Sequence, residues 1–289
     1  EGCNRSCGFC AIPMMTGWHK SRSMEDLVKE ARYLARNGVK EILIIAQDLS
    51  YYGIDLYGKN RLADLVNAIS EVEGIEWIRL HYLYPSRFPY DILPVMRENP
   101  KVCRYLDMPL QHIADPVLKR MMRHVTREET EALIRRVKQE VPGVVLRTTM
   151  LVGYPGETEA DFQELKQFVA ETRFDRLGVF PYSHEEGTYA YAKFQDDVPE
   201  EVKQARADAI MEQQQQISYD LNEDKVGLKF QVIVDRKENA GYAGRTRFDS
   251  PEVDGEVIFT SDRDLKPGDF VTVKITGAED YDLMGVAVE

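Results

Sequence analysis

The sequence of 289 residues is short of cysteine, tryptophan, positive charge and long apolar runs. It has four Cys and two Trp, and its 37 Lys and Arg are outnumbered by 49 Asp and Glu, giving a net charge of −12. The few cysteines exclude a small disulfide-stapled scaffold, and no apolar run approaches the roughly 18 residues of a membrane-spanning helix. Nucleic-acid binding depends on Lys and Arg that contact phosphates, so the acidic charge disfavours it. We therefore predict a cytoplasmic protein with no membrane segment and a basic protein partner. Because it begins with Glu1 rather than Met, we expect a fragment of a longer chain.

Three of the four cysteines, Cys3, Cys7 and Cys10, lie together in the stretch CNRSCGFC. A structural zinc site usually takes four ligands in two close pairs, and here the only further candidate nearby is His19. A [4Fe–4S] cluster is normally held by four cysteines, so three cysteines leave one iron open to another ligand. The spacing therefore favours a cluster over zinc, while a zinc-binding module without enzymatic activity stays open as an alternative. The fourth cysteine, Cys103, is predicted to be a buried strand residue.

Short apolar segments alternate with helical segments over the first two hundred residues. Ser23 followed by Asp26 indicates a helix start, and Gly38 ends that helix. The segment 41–47, EILIIAQ, is a continuous apolar run, which predicts a strand buried on both faces. Five strands separated by helices predict an α/β domain with a parallel sheet or barrel. Strands are predicted at 41–47, 77–83, 103–110, 144–153 and 176–182, and further helices near 61–72, 90–98, 115–122, 127–140 and 158–172.

The composition changes at Pro199. A Gln-rich helix is predicted over 199–222, and from Gly227 onwards short β-runs separated by Gly and Pro turns predict a small β-barrel. We therefore place a first domain at 1–222, including 199–222 as a linking helix, and a second at 223–289. Residues 225–289 contain nine Lys and Arg against thirteen Asp and Glu, so this second domain is itself acidic.

Several motifs together resemble one enzyme family. The stretch CNRSCGFC resembles the cysteine loop of the radical S-adenosylmethionine (radical SAM) superfamily. The stretches AQDLSYYGIDLYG, LDMPLQH, LRTTMLVGYPGETEADF and YSHEEGTYA resemble its methylthiotransferase subfamily, and GRTRFDSPEVDGEV resembles the terminal TRAM barrel of that subfamily. The resemblance covers essentially the whole chain. It implies an α/β fold, a partial (β/α)6-type radical SAM barrel, followed by a small all-β TRAM barrel.

The resemblance also implies an activity and cofactors. In this family three such cysteines bind a [4Fe–4S] cluster whose fourth iron binds SAM, and the reduced cluster cleaves SAM to a 5′-deoxyadenosyl radical. One branch, the RimO type, adds a methylthio group to the β-carbon of an aspartate in the twelfth small-subunit ribosomal protein, and another modifies an isopentenyl-adenosine of tRNA. AQDLSYYGIDLYG resembles the RimO version, and an acidic TRAM domain suits a basic ribosomal protein, so the tRNA enzyme is the runner-up. The family also needs an electron donor and a second [4Fe–4S] cluster in an N-terminal domain, which we expect to lie outside this sequence.

Candidate site residues follow from the resemblance and from the rule that strand ends of such sheets face the ligand. Cys3, Cys7 and Cys10 are expected to bind the cluster. Two arginines lie within apolar strands and need a partner, either a carboxylate of SAM or of the substrate, or an internal Asp or Glu. The motif VGYPGE at 152–157 resembles the family's adenosyl-binding motif, and His112 is a further residue expected to line the cavity. We predict catalytic roles for Asp48 and Arg147, and SAM binding by Phe9, Gln47, Arg79, Gln111, Gly153 and Gly156.

Two departures from the family pattern lead to further expectations. Thr16 stands where members of the family commonly carry Arg. The family's barrel has six strands and we count five, so we expect the first strand to precede Glu1. With that strand missing, we expect a poorly anchored cysteine loop with an incomplete or empty cluster, and no methylthio transfer by this chain alone.

Overall fold

The computed structural model describes residues 1–288, and its first sheet has five parallel strands. They follow the order β1-β2-β3-β4-β5, so each strand lies beside the next one along the chain. Every crossover contains at least one helix, as parallel pairing requires. The predicted alternation of strands and helices is therefore confirmed. The strands are β1 (Glu41–Ile44), β2 (Trp77–Leu80), β3 (Val102–Asp107), β4 (Val145–Val152) and β5 (Arg176–Pro181).

The helices begin at the capping signals in the sequence. Ser23 accepts the N–H of Asp26 at the start of the second helix, and Thr126 and Thr158 form capping boxes at the start of two others. None of the helices in residues 1–288 is both long and apolar enough to cross a membrane. They are α1 (Ile12–Thr16), α2 (Met24–Arg36), α3 (Ile54–Tyr57), α4 (Leu62–Ser70), α5 (Ile92–Glu98), α6 (Asp115–Arg120), α7 (Arg127–Glu140), α8 (Glu159–Thr172), α9 (Tyr189–Lys193) and α10 (Glu200–Glu223).

Strand β1 is an edge strand rather than a strand buried on both faces. Its residues are all half-buried, and Ile45, just beyond it, is 62% exposed. Within residues 1–288, β1 pairs only with β2, so its other edge has no neighbour. The strand itself is present, but the prediction that both of its faces are buried was wrong, because its side chains remain half-buried. The predicted strand before Glu1 lies outside the sequence and stays a prediction.

The C-terminal residues form the predicted small barrel. Five strands close into a barrel in the order β10-β8-β7-β6-β9, around a core of their own. Helix α10 packs on β5 and α8 and leads into this barrel. The predicted domain boundary at 222/223 falls at the end of α10 and stays a prediction. The strands are β6 (Lys229–Glu238), β7 (Gly241–Thr246), β8 (Val257–Thr260), β9 (Phe270–Ala278) and β10 (Leu283–Val288).

Residues 247–254, which we call the plug loop, form most of the connection between β7 and β8 and pack against the parallel sheet. Asp249 of this loop forms a buried ion pair with Arg176, the first residue of β5. The phenol of Tyr105 on β3 donates a hydrogen bond of 2.7 Å to the Asp254 carboxylate. The C-terminal barrel therefore supplies part of the interior of the N-terminal domain.

A buried carboxylate also joins the two domains. The Glu41 Oε1 atom accepts from Arg79 Nε at 2.9 Å, and its Oε2 atom accepts from Arg245 Nη1 of the C-terminal barrel at 2.8 Å. Beside it, the ring of Trp77 packs edge-on against Phe270, with 4.9 Å between ring centroids. One carboxylate thus compensates two guanidinium groups, one from each domain.

Candidate functional site

A cavity of about 760 Å³ opens at the C-terminal ends of the parallel strands and is lined by all three clustered cysteines. Parallel α/β sheets bind ligands at this edge. The structure brings together seven of the residues predicted from the sequence. They are Cys3, Phe9, Cys7, Cys10, Gln47, Gln111 and Arg147.

Backbone hydrogen bonds anchor the cysteine loop at several points. Cys3 N–H donates to the Gly17 carbonyl at 3.1 Å, and Gly8 N–H donates to Met121 O at 2.8 Å. The Gly8 carbonyl in turn accepts from Ala190 at 2.7 Å. A Cβ atom on Gly8 would lie only 2.9 Å from a tyrosine hydroxyl, so this position has no room for a side chain. The prediction of a poorly anchored loop was wrong, because α6, α9 and the Gly17 turn hold it.

The cysteines fit a cluster better than a single metal ion. All three are free thiols, and the backbone N–H of Arg5 donates to Cys3 Sγ at 3.4 Å. Among residues 1–288, no three His, Cys, Asp or Glu side chains converge as ligands of one ion, and His19 bonds Ser21 instead. A cubane cluster takes one cysteine at each of three irons, so its cysteines need not converge on one point. Burial raises the pKa of the Cys3 thiol, so iron binding at this position has to release a proton.

A stack of two arginines on a tyrosine covers Cys7, and sequence reasoning missed all three residues. The guanidinium carbons of Arg5 and Arg123 lie 4.0 and 4.2 Å from the ring centroid of Tyr84. Arg123 Nη1 donates to Cys7 Sγ at 3.3 Å, and the Tyr84 hydroxyl lies 3.5 Å from the same sulfur. We call Arg5, Tyr84 and Arg123 the arginine–tyrosine stack.

Backbone strain concentrates around this cavity. Tyr82 and Gln111, which line it, have φ values of +57° and +73°. Met122 and His124, on either side of Arg123, have φ values of +55° and +51°. A left-handed residue other than glycine costs about 1–3 kcal/mol and persists where the surrounding structure enforces it, typically at functional sites. No pattern in the sequence marks these positions, because none of them is a glycine.

Asp48 lies behind the cavity wall rather than in it. Its carboxylate is 1% exposed, accepts from Arg5 Nε at 2.6 Å and also bonds the Ser50 hydroxyl. Arg5 does line the cavity, so Asp48 acts on the cavity by holding Arg5 in place. At the neighbouring strand ends, Gln47 and Gln111 line the cavity directly.

The two arginines predicted within strands have different surroundings. Arg147 lines the cavity, with Nη1 donating to Asp107 at 3.0 Å and Nε lying 3.6 Å from Asp254 of the plug loop. Arg79 does not line it: its side chain is fully buried and pairs with Glu41. The prediction that Arg79 binds SAM therefore does not hold, because the internal carboxylate left open as the alternative is its partner.

The predicted glycines and His112 also lie outside the cavity. A Cβ on Gly153 would meet Lys203 Cγ at 2.2 Å, and one on Gly156 would meet the Arg120 guanidinium at 2.6 Å. These glycines therefore make room for neighbouring side chains of the protein. His112 is completely buried, and burial lowers its pKa to about 3, so it is a neutral core residue rather than an exposed base.

Behind the turn that contains these glycines lies a buried carboxylate. Glu157 Oε2 accepts from Gly153 N–H at 2.5 Å, and Glu157 Oε1 accepts from Arg206 at 3.0 Å. Burial raises the pKa of Glu157 to about 7. The His112 Nε2 atom lies 3.8 Å from this carboxylate. The conformation of the turn is therefore fixed from inside the protein.

Comparisons with known proteins agree along the whole chain. A family profile described as Radical SAM superfamily matches residues 1–169, and one described as TRAM domain matches residues 226–288. The chain is 56% identical over 291 residues to a Porphyromonas gingivalis protein named ribosomal protein uS12 methylthiotransferase RimO, covering 100% of this chain and 67% of that protein. A protein of the same name from Flavobacterium johnsoniae is 57% identical over 286 residues, covering 99% and 65%. The chain thus spans about two thirds of the length of these relatives.

Two solved structures share the fold. The radical SAM methyltransferase TsrM from Kitasatospora setae aligns with a TM-score of 0.50 at 19% identity, over 62% of this chain and 35% of that one. Coproporphyrinogen III oxidase (HemN) from Escherichia coli aligns with a TM-score of 0.50 at 20% identity, over 73% and 48%. At these identities the likeness supports the fold and nothing finer.

Proposed function

Because the chain belongs to the radical SAM superfamily and, within it, to the RimO family of ribosomal protein methylthiotransferases, we propose that it is the cluster-binding and TRAM part of such an enzyme. The observation that carries the proposal is the cavity lined by Cys3, Cys7 and Cys10 at the C-terminal edge of the sheet. The reaction is transfer of a methylthio group to the β-carbon of an aspartate in the ribosomal protein uS12. The electron donor and a second [4Fe–4S] cluster, held by a further domain, complete the enzyme in the cytoplasm.

The three cysteines would hold the [4Fe–4S] cluster, one thiolate at each of three irons. When bound, the cluster supplies the electron that cleaves SAM. The cavity of about 760 Å³ has room for a molecule of that size beside the cysteines. Phe9 and Phe180 line it with apolar surface that helps to exclude water from the reacting groups.

The remaining polar groups of the cavity would orient SAM and the substrate. Gln47 and Gln111 each offer an amide donor and acceptor at a strand end. Arg147 already has two carboxylate partners, so its net attraction for a further carboxylate is weak. We therefore assign Arg147 to hydrogen bonding and Asp48 to positioning Arg5, rather than to proton transfer.

The acidic C-terminal barrel favours a basic protein substrate over tRNA. Two of its cations face inward: Arg245 pairs with Glu41, and Arg247 donates to the carbonyls of Pro100 and Val102. This removes positive charge from the outer surface of a domain that is already acidic. Such a surface attracts a basic ribosomal protein and repels a phosphate backbone.

The proposal is tested by SAM cleavage in the chain reconstituted anaerobically with iron and sulfide. The cysteine loop is anchored, which removes the ground for expecting an empty cluster. With dithionite and SAM, we therefore expect 5′-deoxyadenosine from the wild-type chain and none from Cys7→Ala. Cys103→Ala is the matched control, because Cys103 is fully buried on β3 and does not line the cavity. A colourless, iron-free chain with stoichiometric zinc would instead establish the zinc-binding module.

Binding measurements at matched salt concentration distinguish the ribosomal protein enzyme from the tRNA enzyme. We expect the chain to bind uS12 more tightly than bare tRNA. Tight tRNA binding that weakens steeply with salt would favour the tRNA-modifying enzyme instead, because the salt dependence of the affinity measures the number of phosphate contacts.

A further inference from the structure

Arg123 is a buried cation without a carboxylate partner in residues 1–288. It is 3% exposed, and no Asp or Glu oxygen lies within ion-pair distance of its guanidinium. Its Nη2 atom donates to the Pro109 carbonyl, its Nη1 atom donates to Cys7 Sγ, and its Nε atom has no partner. Two buried arginines of the sheet, Arg79 and Arg176, each have a carboxylate partner. A buried charge is costly unless it is paired, so the position of Arg123 calls for an anion.

The surroundings hold Arg123 against the cysteine sulfur. Tyr84 lies under its guanidinium and donates its hydroxyl hydrogen to the Arg123 carbonyl at 2.9 Å. The left-handed residues Met122 and His124 on either side of Arg123 give the backbone a shape that its neighbours must enforce. Backbone strain of this kind is expected where the position of one side chain, here that of Arg123, is important for function.

We propose that Arg123, supported by Tyr84, raises the reduction potential of the cluster by donating a hydrogen bond to the Cys7 thiolate. The inference rests on the proposed function, since it requires Cys7 to be a cluster ligand. Adding one electron increases the negative charge on the cluster and its thiolates. A cationic donor at the sulfur, shielded from water, stabilises that reduced form more than the oxidised form. Arg123 is thus a positioning and tuning residue that eases the uptake of the electron from the donor.

The test is a reductive titration with dithionite of the reconstituted chain, followed by electron paramagnetic resonance of the reduced cluster. For Arg123→Gln we expect the equilibrium constant for reduction of the cluster to fall at least tenfold. For a one-electron couple, a tenfold fall lowers the midpoint potential by about 59 mV. Arg123→Lys, which keeps the charge but not the forked geometry, should lose less. The control is Arg120→Gln, which removes a nearby exposed charge that has no contact with a cysteine sulfur and should leave the midpoint unchanged.

A second variant protects the test against misfolding. Tyr84→Phe keeps the ring beside both guanidinium groups and removes the hydroxyl, which donates to the Arg123 carbonyl and lies 3.5 Å from Cys7 Sγ. It should therefore lower the midpoint by a smaller amount. If neither Arg123→Gln nor Tyr84→Phe changes the midpoint, or if Arg120→Gln changes it as much, the inference is overturned. If the wild-type chain assembles no cluster, the proposed function itself fails, and the two failures are therefore distinguishable.

Discussion

Replacing Glu41 by Gln tests whether one carboxylate holds the two domains together. Within residues 1–288, Glu41 is the only acidic partner of Arg79, whose side chain is fully buried, and it also accepts from Arg245 of the other domain. Breaking one side of a buried ion pair costs about 3–5 kcal/mol, because the remaining charge is left uncompensated. The amide of Gln keeps one acceptor oxygen, so we expect the free energy of unfolding to fall by about 3 kcal/mol, the lower end of that range.

Tryptophan fluorescence can measure this loss at the interface itself. The chain has two tryptophans: Trp18 is 78% exposed, and Trp77 is 2% exposed and packs on Phe270 of the C-terminal barrel. In a Trp18→Phe background the signal therefore comes from Trp77 alone. A urea titration followed by this fluorescence and by circular dichroism shows whether the interface opens before the sheet unfolds.

Two further variants decide the interpretation. Asp264→Asn breaks an exposed surface pair with Lys237 and should leave stability unchanged. The double variant Glu41→Gln with Arg79→Met removes both charges and should recover most of the loss, since an apolar residue needs no counter-charge. A loss below about 1 kcal/mol in Glu41→Gln, the size typical of exposed pairs, would refute the reasoning.

Two other predictions concern the turn after β4. Gly153→Ala should destabilise the chain more than Gly143→Ala in urea titrations: both glycines have positive φ, but only at Gly153 does the new methyl group meet a side chain, that of Lys203. Equal losses of stability in the two variants would contradict this prediction, because they would show that Lys203 moves away from the new methyl group without an energetic penalty. The pKa of Glu157 is raised from 4.5 to about 7, so this carboxyl group binds its proton more tightly in the folded state. The pKa of His112 is lowered from 6.5 to about 3, so this imidazole binds its proton more tightly in the unfolded state. As pH rises between these pKa values, Glu157 lowers the free energy of unfolding and His112 raises it. In Glu157→Gln only the His112 effect remains, so the free energy of unfolding should rise from about pH 4 to about pH 6. An unchanged pH profile would contradict the assignment.

The order of elements and the position of the three cysteines at one cavity could be predicted, because both depend on residues that are close together in the sequence. The capping signal at Ser23 and the three clustered cysteines each lie within a few residues of one another. Strand alternation then fixes which end of the sheet meets the cysteine loop. The predicted capping and the five parallel strands are confirmed by the structure.

The partners of buried charges could not be predicted, because they come from distant parts of the chain. Arg123 lies 116 residues from Cys7, and Glu41 lies 38 residues from Arg79. An arginine in an apolar strand indicates that a partner for its charge is needed, but the sequence does not reveal whether that partner is a ligand or another residue. For the same reason the half-burial of β1 could not be predicted, since it depends on what packs on the faces of the strand.

The plug loop limits how the C-terminal barrel can be exchanged between related enzymes. A barrel transplanted from another member of the family would bring its own loop into the interior of the parallel sheet. Asp249 and Asp254 would then be replaced together with the outer surface, leaving Arg176 and Tyr105 without their acceptors. A functional chimera must therefore keep residues 247–254 of the recipient and exchange only the rest of the barrel. The outer surface of the barrel and the packing of the parallel sheet thus depend on the same module, so a change in one constrains the other.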